Sequence, residues 1–215
     1  MFDPAQSAAL RKEAPLVDVL VVSGLSPVEA DPWQAWLEVR FPRAAWVRPL
    51  DGDWPDLARW TARIDQALAA GETGRPALVL AHGFGALAVI RHATQGRIAP
   101  ASAILVTPAA PHRFGLDAAA IGHPVPYRTT LLAPLGGAHP ESPWLQDEDA
   151  RTWAEAWQAR LVDAGRGPVR SAAAAPGTVP PWAEGETVLA EHMAPLLAGA
   201  RAANAARVAA AGYAA

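Results

Sequence analysis

Apolar residues along this chain fall into two patterns that alternate. Short runs of β-formers occupy residues 16–22 (LVDVLVV), 77–81, 103–107 (AILVT) and 129–134 (TTLLAP), and a shorter one occupies 45–49 (AWVRP). Each is long enough for a strand and ends in Gly, Pro or Ser. Between them, apolar positions recur every three or four residues. Asp31-Pro32 opens a helix over 32–40, with an N-cap and Pro in the first turn. Trp54, Leu57, Trp60, Ile64 and Leu68 mark a helix over 54–70 that Gly71 ends. Further helices are predicted over 85–94 and 146–164, and residues 186–215 read as a closing helical tail that frays near Gly212.

Strands alternating with amphipathic helices predict an α/β fold with three layers: a mostly parallel central sheet covered by helices on both faces. The stretches 108–128, 135–143 and 165–185 are rich in Pro and Gly and read as loops, several at the carboxyl ends of strands. Ligands bind along that edge in open α/β sheets. With no internal repeat and no second composition, residues 1–215 form one domain, of which 1–14 is an N-terminal extension.

Within this pattern, residues 78–90 (LVLAHGFGALAVI) join a strand to a helix through His82-Gly83-Phe84-Gly85. That is the setting of a nucleophile elbow, in which a serine stands at the tip of a sharp strand-to-helix turn. Here the tip is Gly83.

Composition narrows the function classes. The chain has no cysteine, which removes disulfides, thiolate metal sites and cysteine nucleophiles. Net charge is −3, and all but one of the 18 basic residues are arginine, Lys12 being the exception. No basic stripe interleaved with aromatics argues for nucleic acid. No uninterrupted apolar run of about 18 residues argues for a membrane span. The first residues lack the basic and apolar regions of a secretory signal, so a soluble, cytoplasmic protein is expected. Nine tryptophans are unusual and predict buried rings with partnered N–H groups.

The chain resembles the small YdeN / retinoblastoma-binding-protein-nine serine hydrolases of the α/β-hydrolase superfamily, from about Leu16 to Gly185. The resemblance rests on V-V-x-G-L (Val21–Leu25), W-Q-x-W-L-E (Trp33–Glu38), Phe41-Pro42 and D-W-P-D-L-x-x-W (Asp53–Trp60). It continues through L-V-L-A-H-x-x-G (Leu78–Gly85), I-L-V-x-P (Ile104–Pro108), Pro143-Trp144 with a helix running to Val162, and W-x-E-G (Trp182–Gly185). It implies an α/β-hydrolase fold and a Ser-His-Asp triad, in which serine attacks an acyl carbon, histidine takes its proton and aspartate orients the histidine.

All three triad positions are substituted. The nucleophile position is Gly83, the aspartate position matches Ser142, and the histidine position falls at about Pro168; the first-loop position, often His, is Ser23. No histidine occurs between His139 and His192. Gly83 offers no atom for an acyl-enzyme, and Pro168 offers neither a ring nitrogen that accepts nor a backbone N–H. Loss of a triad member leaves roughly 10³–10⁴-fold over water, from the oxyanion hole and binding alone.

The expected function is therefore that of a non-catalytic hydrolase homologue binding a small molecule or a protein partner. Its pocket is predicted to be lined by Ser23, Gly24, Leu25, His82, Gly83, Phe84 and Trp144. The alternative is an active esterase using Ser23 and His82 as nucleophile and base. His112, His123 and His139, the last beside Glu141, lie in loops but lack any metal-binding spacing, so no metal and no cofactor is expected. Arg166 and Arg170 flank the lost histidine and are read as solvated, or as a positive charge facing a carboxylate ligand. His192 is read as a packing or surface residue, and Asp147-Glu148-Asp149 as a helix N-terminus.

Overall fold

The computed structural model describes residues 16–25, 36–38, 40–49, 55–136, 145–165 and 182–212. Among the described residues, six strands form a single sheet: β1 Asp18–Val22, β2 Ala45–Val47, β3 Ala77–Gly83, β4 Ser102–Pro108, β5 Arg128–Ala133 and β6 Arg160–Asp163. Their order is β2-β1-β3-β4-β5-β6, and every neighbouring pair is parallel. The helices are α1 Leu57–Ala69, α2 Phe84–Gln95, α3 Ala118–Ile121, α4 Asp147–Trp157 and α5 Ala183–Gly212. Residues 36–38 and 40 are also helical, within the predicted 32–40 helix.

Alternation along the strands sorts the core into two layers, because successive side chains point to opposite faces. Leu20, Val22, Val79, Ala81, Ala103, Leu105 and Leu131 pack with Trp60 and Ile64 of α1, Leu87 and Ile90 of α2, and Trp157 of α4. Val19, Val21, Leu78, Leu80, Ile104, Val106 and Leu132 pack with Trp36, Leu37 and Phe41, and with Trp182, Val188, Leu189 and Met193 near the start of α5. Both faces are covered, so the central strands are buried almost throughout, as parallel sheets require.

Local chemistry sets the helix limits. Asp56 caps α1 by accepting from the amides of Ala58 at 2.8 Å and Arg59 at 3.2 Å. Asp147, Glu148 and Asp149 fill the first turn of α4, where negative charge complements the helix dipole.

Three expectations are corrected. The predicted helix over 146–164 ends at Trp157; Gln158 turns left-handed at φ 54°, and residues 160–163 form β6. Trp153, Trp157 and Leu161 recur every four residues, so the helical spacing runs straight across a chain reversal. The 108–128 loop contains a 3-10 turn at Pro111–Phe114 as well as α3. The closing helix begins at Ala183 rather than 186, inside the stretch read as loop.

Candidate functional site

The strand order reverses at β1, with β2 on one side and β3 on the other. The crevice beyond the carboxyl ends of β1 and β3 is thus the topological switch point of the sheet. It brings together Ser23-Gly24-Leu25 and His82-Gly83-Phe84, as read from the sequence. A Cβ on Gly24 would stand 3.1 Å from Nδ1 of His82, and one on Gly83 would stand 3.6 Å from Cα of Gly24.

Gly83 has φ 55° and ψ −122°, the sharp turn expected of an elbow, and it serves as N-cap of α2 without any side-chain hydrogen bond. Left-handed φ favours glycine. Gly85, two residues on, is required for another reason. A Cβ there would overlap the carbonyl oxygens of Val22 and Ser23, so α2 starts in direct contact with the backbone of β1. Opposite the elbow, pairing between β3 and β4 slips between His82 and Gly83, so that Gly83 faces Pro108 and accepts from the amide of Ala109 at 3.0 Å. The residue skipped by this bulge is Thr107, at φ 36°. For a β-branched residue that is a strained conformation, and no sequence pattern signals it.

Ser23 is fully buried. Its amide and its Oγ both donate to the carbonyl of Val47 on β2, at 3.0 Å and 3.1 Å. The single hydroxyl proton is therefore committed to a backbone carbonyl rather than to an imidazole nitrogen. His82 is half-buried on the same edge. The Phe84 side chain turns into the core, edge-on to Trp60 with ring centroids 5.4 Å apart and tilted against Phe114 at 4.9 Å. Leu25 is half-buried against the same cluster. Ser142, Trp144, Pro168, His139, Glu141, Arg166 and Arg170 lie outside the described residues.

Asp163, at the carboxyl end of β6, received no weight in the sequence. Its Oδ1 accepts from the amides of Leu135 at 3.0 Å and Gly165 at 2.9 Å, which hold its carboxyl below the usual range. Asp147 accepts from the amide of Gly136 at 2.7 Å. Two carboxylates thus hold Leu135 and Gly136, just beyond β5.

Of the remaining histidines, His112 follows the carboxyl end of β4 in the 3-10 turn Pro111–Phe114. His112 and His123 are exposed. His92 is buried, with Nε2 2.9 Å from Oδ1 of Asp65. Burial pushes the Asp65 carboxyl up, but His92 and the amides of Arg97 and Ile98 outweigh it and hold the group low. His192 is completely buried between Ser102 of β4 and Thr130 of β5. No helix among the described residues is long and apolar enough to cross a membrane.

Comparison with known proteins places this geometry. A family model described as serine hydrolase matches residues 19–191. The chain is similar to a Pectobacterium atrosepticum protein described as a YdeN-like hydrolase, with 29% identity and a TM-score of 0.71, over 89% of this chain and 98% of that one. A hydrolase of the alpha/beta superfamily from Xanthomonas campestris aligns at 15% identity and TM-score 0.52, over 85% of this chain and 97% of the other. The ydeN product of B. subtilis aligns at 16% and 0.52, over 70% and 86%. These two show the fold alone. A comparison with curated proteins finds no match. The family match runs from β1 into α5, and the chain belongs to the serine hydrolase family.

Proposed function

We propose that this chain is a non-catalytic member of its family, which keeps the elbow as scaffold and as a binding surface for a small ligand or a protein partner. One observation carries the reading: the residue at the tip of the sharp strand-to-helix turn, at φ 55° and ψ −122°, is Gly83. Glycine has no side chain to attack an acyl carbon or to be acylated. The substitutions at Ser142 and Pro168 support the same reading from the sequence. The commitment of the Ser23 hydroxyl to Val47 counts against a replacement nucleophile at that position.

A fluorophosphonate probe and short-chain p-nitrophenyl esters test this directly. The expected result is no labelling at high protein concentration and no turnover above buffer. Labelling that disappears in Ser23→Ala would overturn it and restore the esterase reading.

A further inference from the structure

Next to the elbow, along the outer side of α2, lies a groove of about 420 Å³. Small-molecule sites span about 300–1,000 Å³. Its apolar walls come from Leu57 of α1, Phe114 and Leu116 of the loop after β4, and Phe84 at the floor. Leu57, Phe114 and Leu116 are half-buried rather than sealed in the core. Two charged residues line it, Arg91 and Asp56. Oδ1 of Asp56 serves as the α1 cap, accepting two amides, and the carboxylate is exposed at the rim. Arg91 is different. Its Nη1 donates to the carbonyl of Ala120 at 2.7 Å, which fixes the guanidinium against the wall. That bond uses one of five N–H donors, and among the described residues no carboxylate pairs with Arg91.

A half-buried, positioned guanidinium in ion-pair contact with no carboxylate among the described residues, beside an apolar trough with aromatic walls, has a definite chemical complement. We propose that this groove is a binding site for a small carboxylic acid with an apolar body. The carboxylate takes the remaining Arg91 donors, and the hydrocarbon or aryl part lies against Phe114, Leu116 and Leu57. Arginine favours such ligands because its planar fork matches a carboxylate in a two-point contact. Desolvating the apolar body on Phe114 and the two leucines supplies the rest of the affinity. The site does not include Gly83, so the outcome of the fluorophosphonate experiment leaves it untouched.

The test titrates the full chain with octanoate, octan-1-ol and octylamine at submicellar concentrations, by calorimetry and by protein NMR. Octanoate is expected to bind saturably at one site, at least about tenfold tighter than the alcohol, since a hydrogen bond to a charged group is worth that much. Octylamine is expected to bind most weakly. Arg91→Gln should bring octanoate down to the level of the alcohol while leaving alcohol binding unchanged, and Arg91→Lys should retain part of the preference. A cooperative melt and a native-like NMR spectrum in Arg91→Gln, with alcohol binding retained, separate lost recognition from lost structure, a midpoint lowered by the lost bond to Ala120 being expected. Absence of saturable octanoate binding, equal affinity for acid and alcohol, or indifference to Arg91→Gln would each overturn the proposal.

Discussion

The hydroxyl of Ser23 donates to the carbonyl oxygen of Val47 at 3.1 Å, alongside the Ser23 amide at 3.0 Å. Two donors from one residue on one acceptor tie the end of β1 to β2 just where the chain leaves the sheet. The side chain is thus explained as a structural clasp. Ser23→Ala is expected to lower stability by about 1 kcal/mol, the usual net worth of one such bond, because the amide still satisfies the carbonyl. Urea denaturation measures this.

Gly85 separates close approach from conformational freedom. Gly85→Ala forces a methyl group against the carbonyls of Val22 and Ser23, backbone atoms that cannot swing aside. A loss of about 1–3 kcal/mol or more is expected, typical of overpacking. Gly74→Ala, at φ 84° with nothing within 4 Å of the added Cβ among the described residues, meets only backbone strain and should cost less. Thermal melts of the two variants give the comparison.

Gly83→Ser places a non-glycine residue at φ 55°, where the added Cβ meets only Cα of Gly24, at 3.6 Å, among the described residues. The variant is expected to fold, with a strain cost of about 1–3 kcal/mol. Combined with Ser142→Asp and Pro168→His it should recover little esterase activity, because restoring three residue types does not by itself restore the nucleophile–base–carboxylate geometry that the reaction needs. Robust turnover of p-nitrophenyl acetate by the triple variant would contradict this.

His192 predicts an acid-sensitive core. Ser102 Oγ donates to the carbonyl of Arg128 at 3.2 Å, so Nδ1–H of His192 donates to Ser102, and Nε2 accepts from Thr130 Oγ1 at 2.8 Å. This network needs a neutral ring. Burial, then the charges of Arg128 and Arg160, hold its pKa down at about 4. The unfolded chain takes up a proton as pH falls through about 6.5, whereas the folded chain does so only near 4, so stability declines between those values and levels off below. The loss amounts to about 3 kcal/mol. His192→Asn should be less stable at pH 7 and should lack the decline from pH 7 to 5; urea midpoints across that range decide it.

Much of the architecture was legible in the residues. Apolar runs located β1 through β5, and the spacing of Trp60 and Ile64 located α1, because burial on both faces leaves a strong pattern in strand and helix alike. The reversal after Trp157 was not legible. A left-handed Gln158 carries none of the turn signature that Gly would, and Leu161 continues the helical spacing.

The candidate site divides in the same way. The sequence by itself determined which groups are present: Gly83 at the elbow tip, no cysteine anywhere, and no histidine between His139 and His192. These facts depend on which atoms are present, and no fold can add a nucleophile to glycine. Only the tertiary structure decided how the remaining groups are used. Parallel pairing of β1 with β2 gives the Ser23 hydroxyl to Val47, the bulge at Thr107 sets Pro108 opposite the elbow, and packing of α5 on β4 and β5 buries His192. It also turned Arg91 toward Ala120 beside an apolar groove. Each of these contacts joins residues far apart in the chain, and sequence spacing carries no record of such distances.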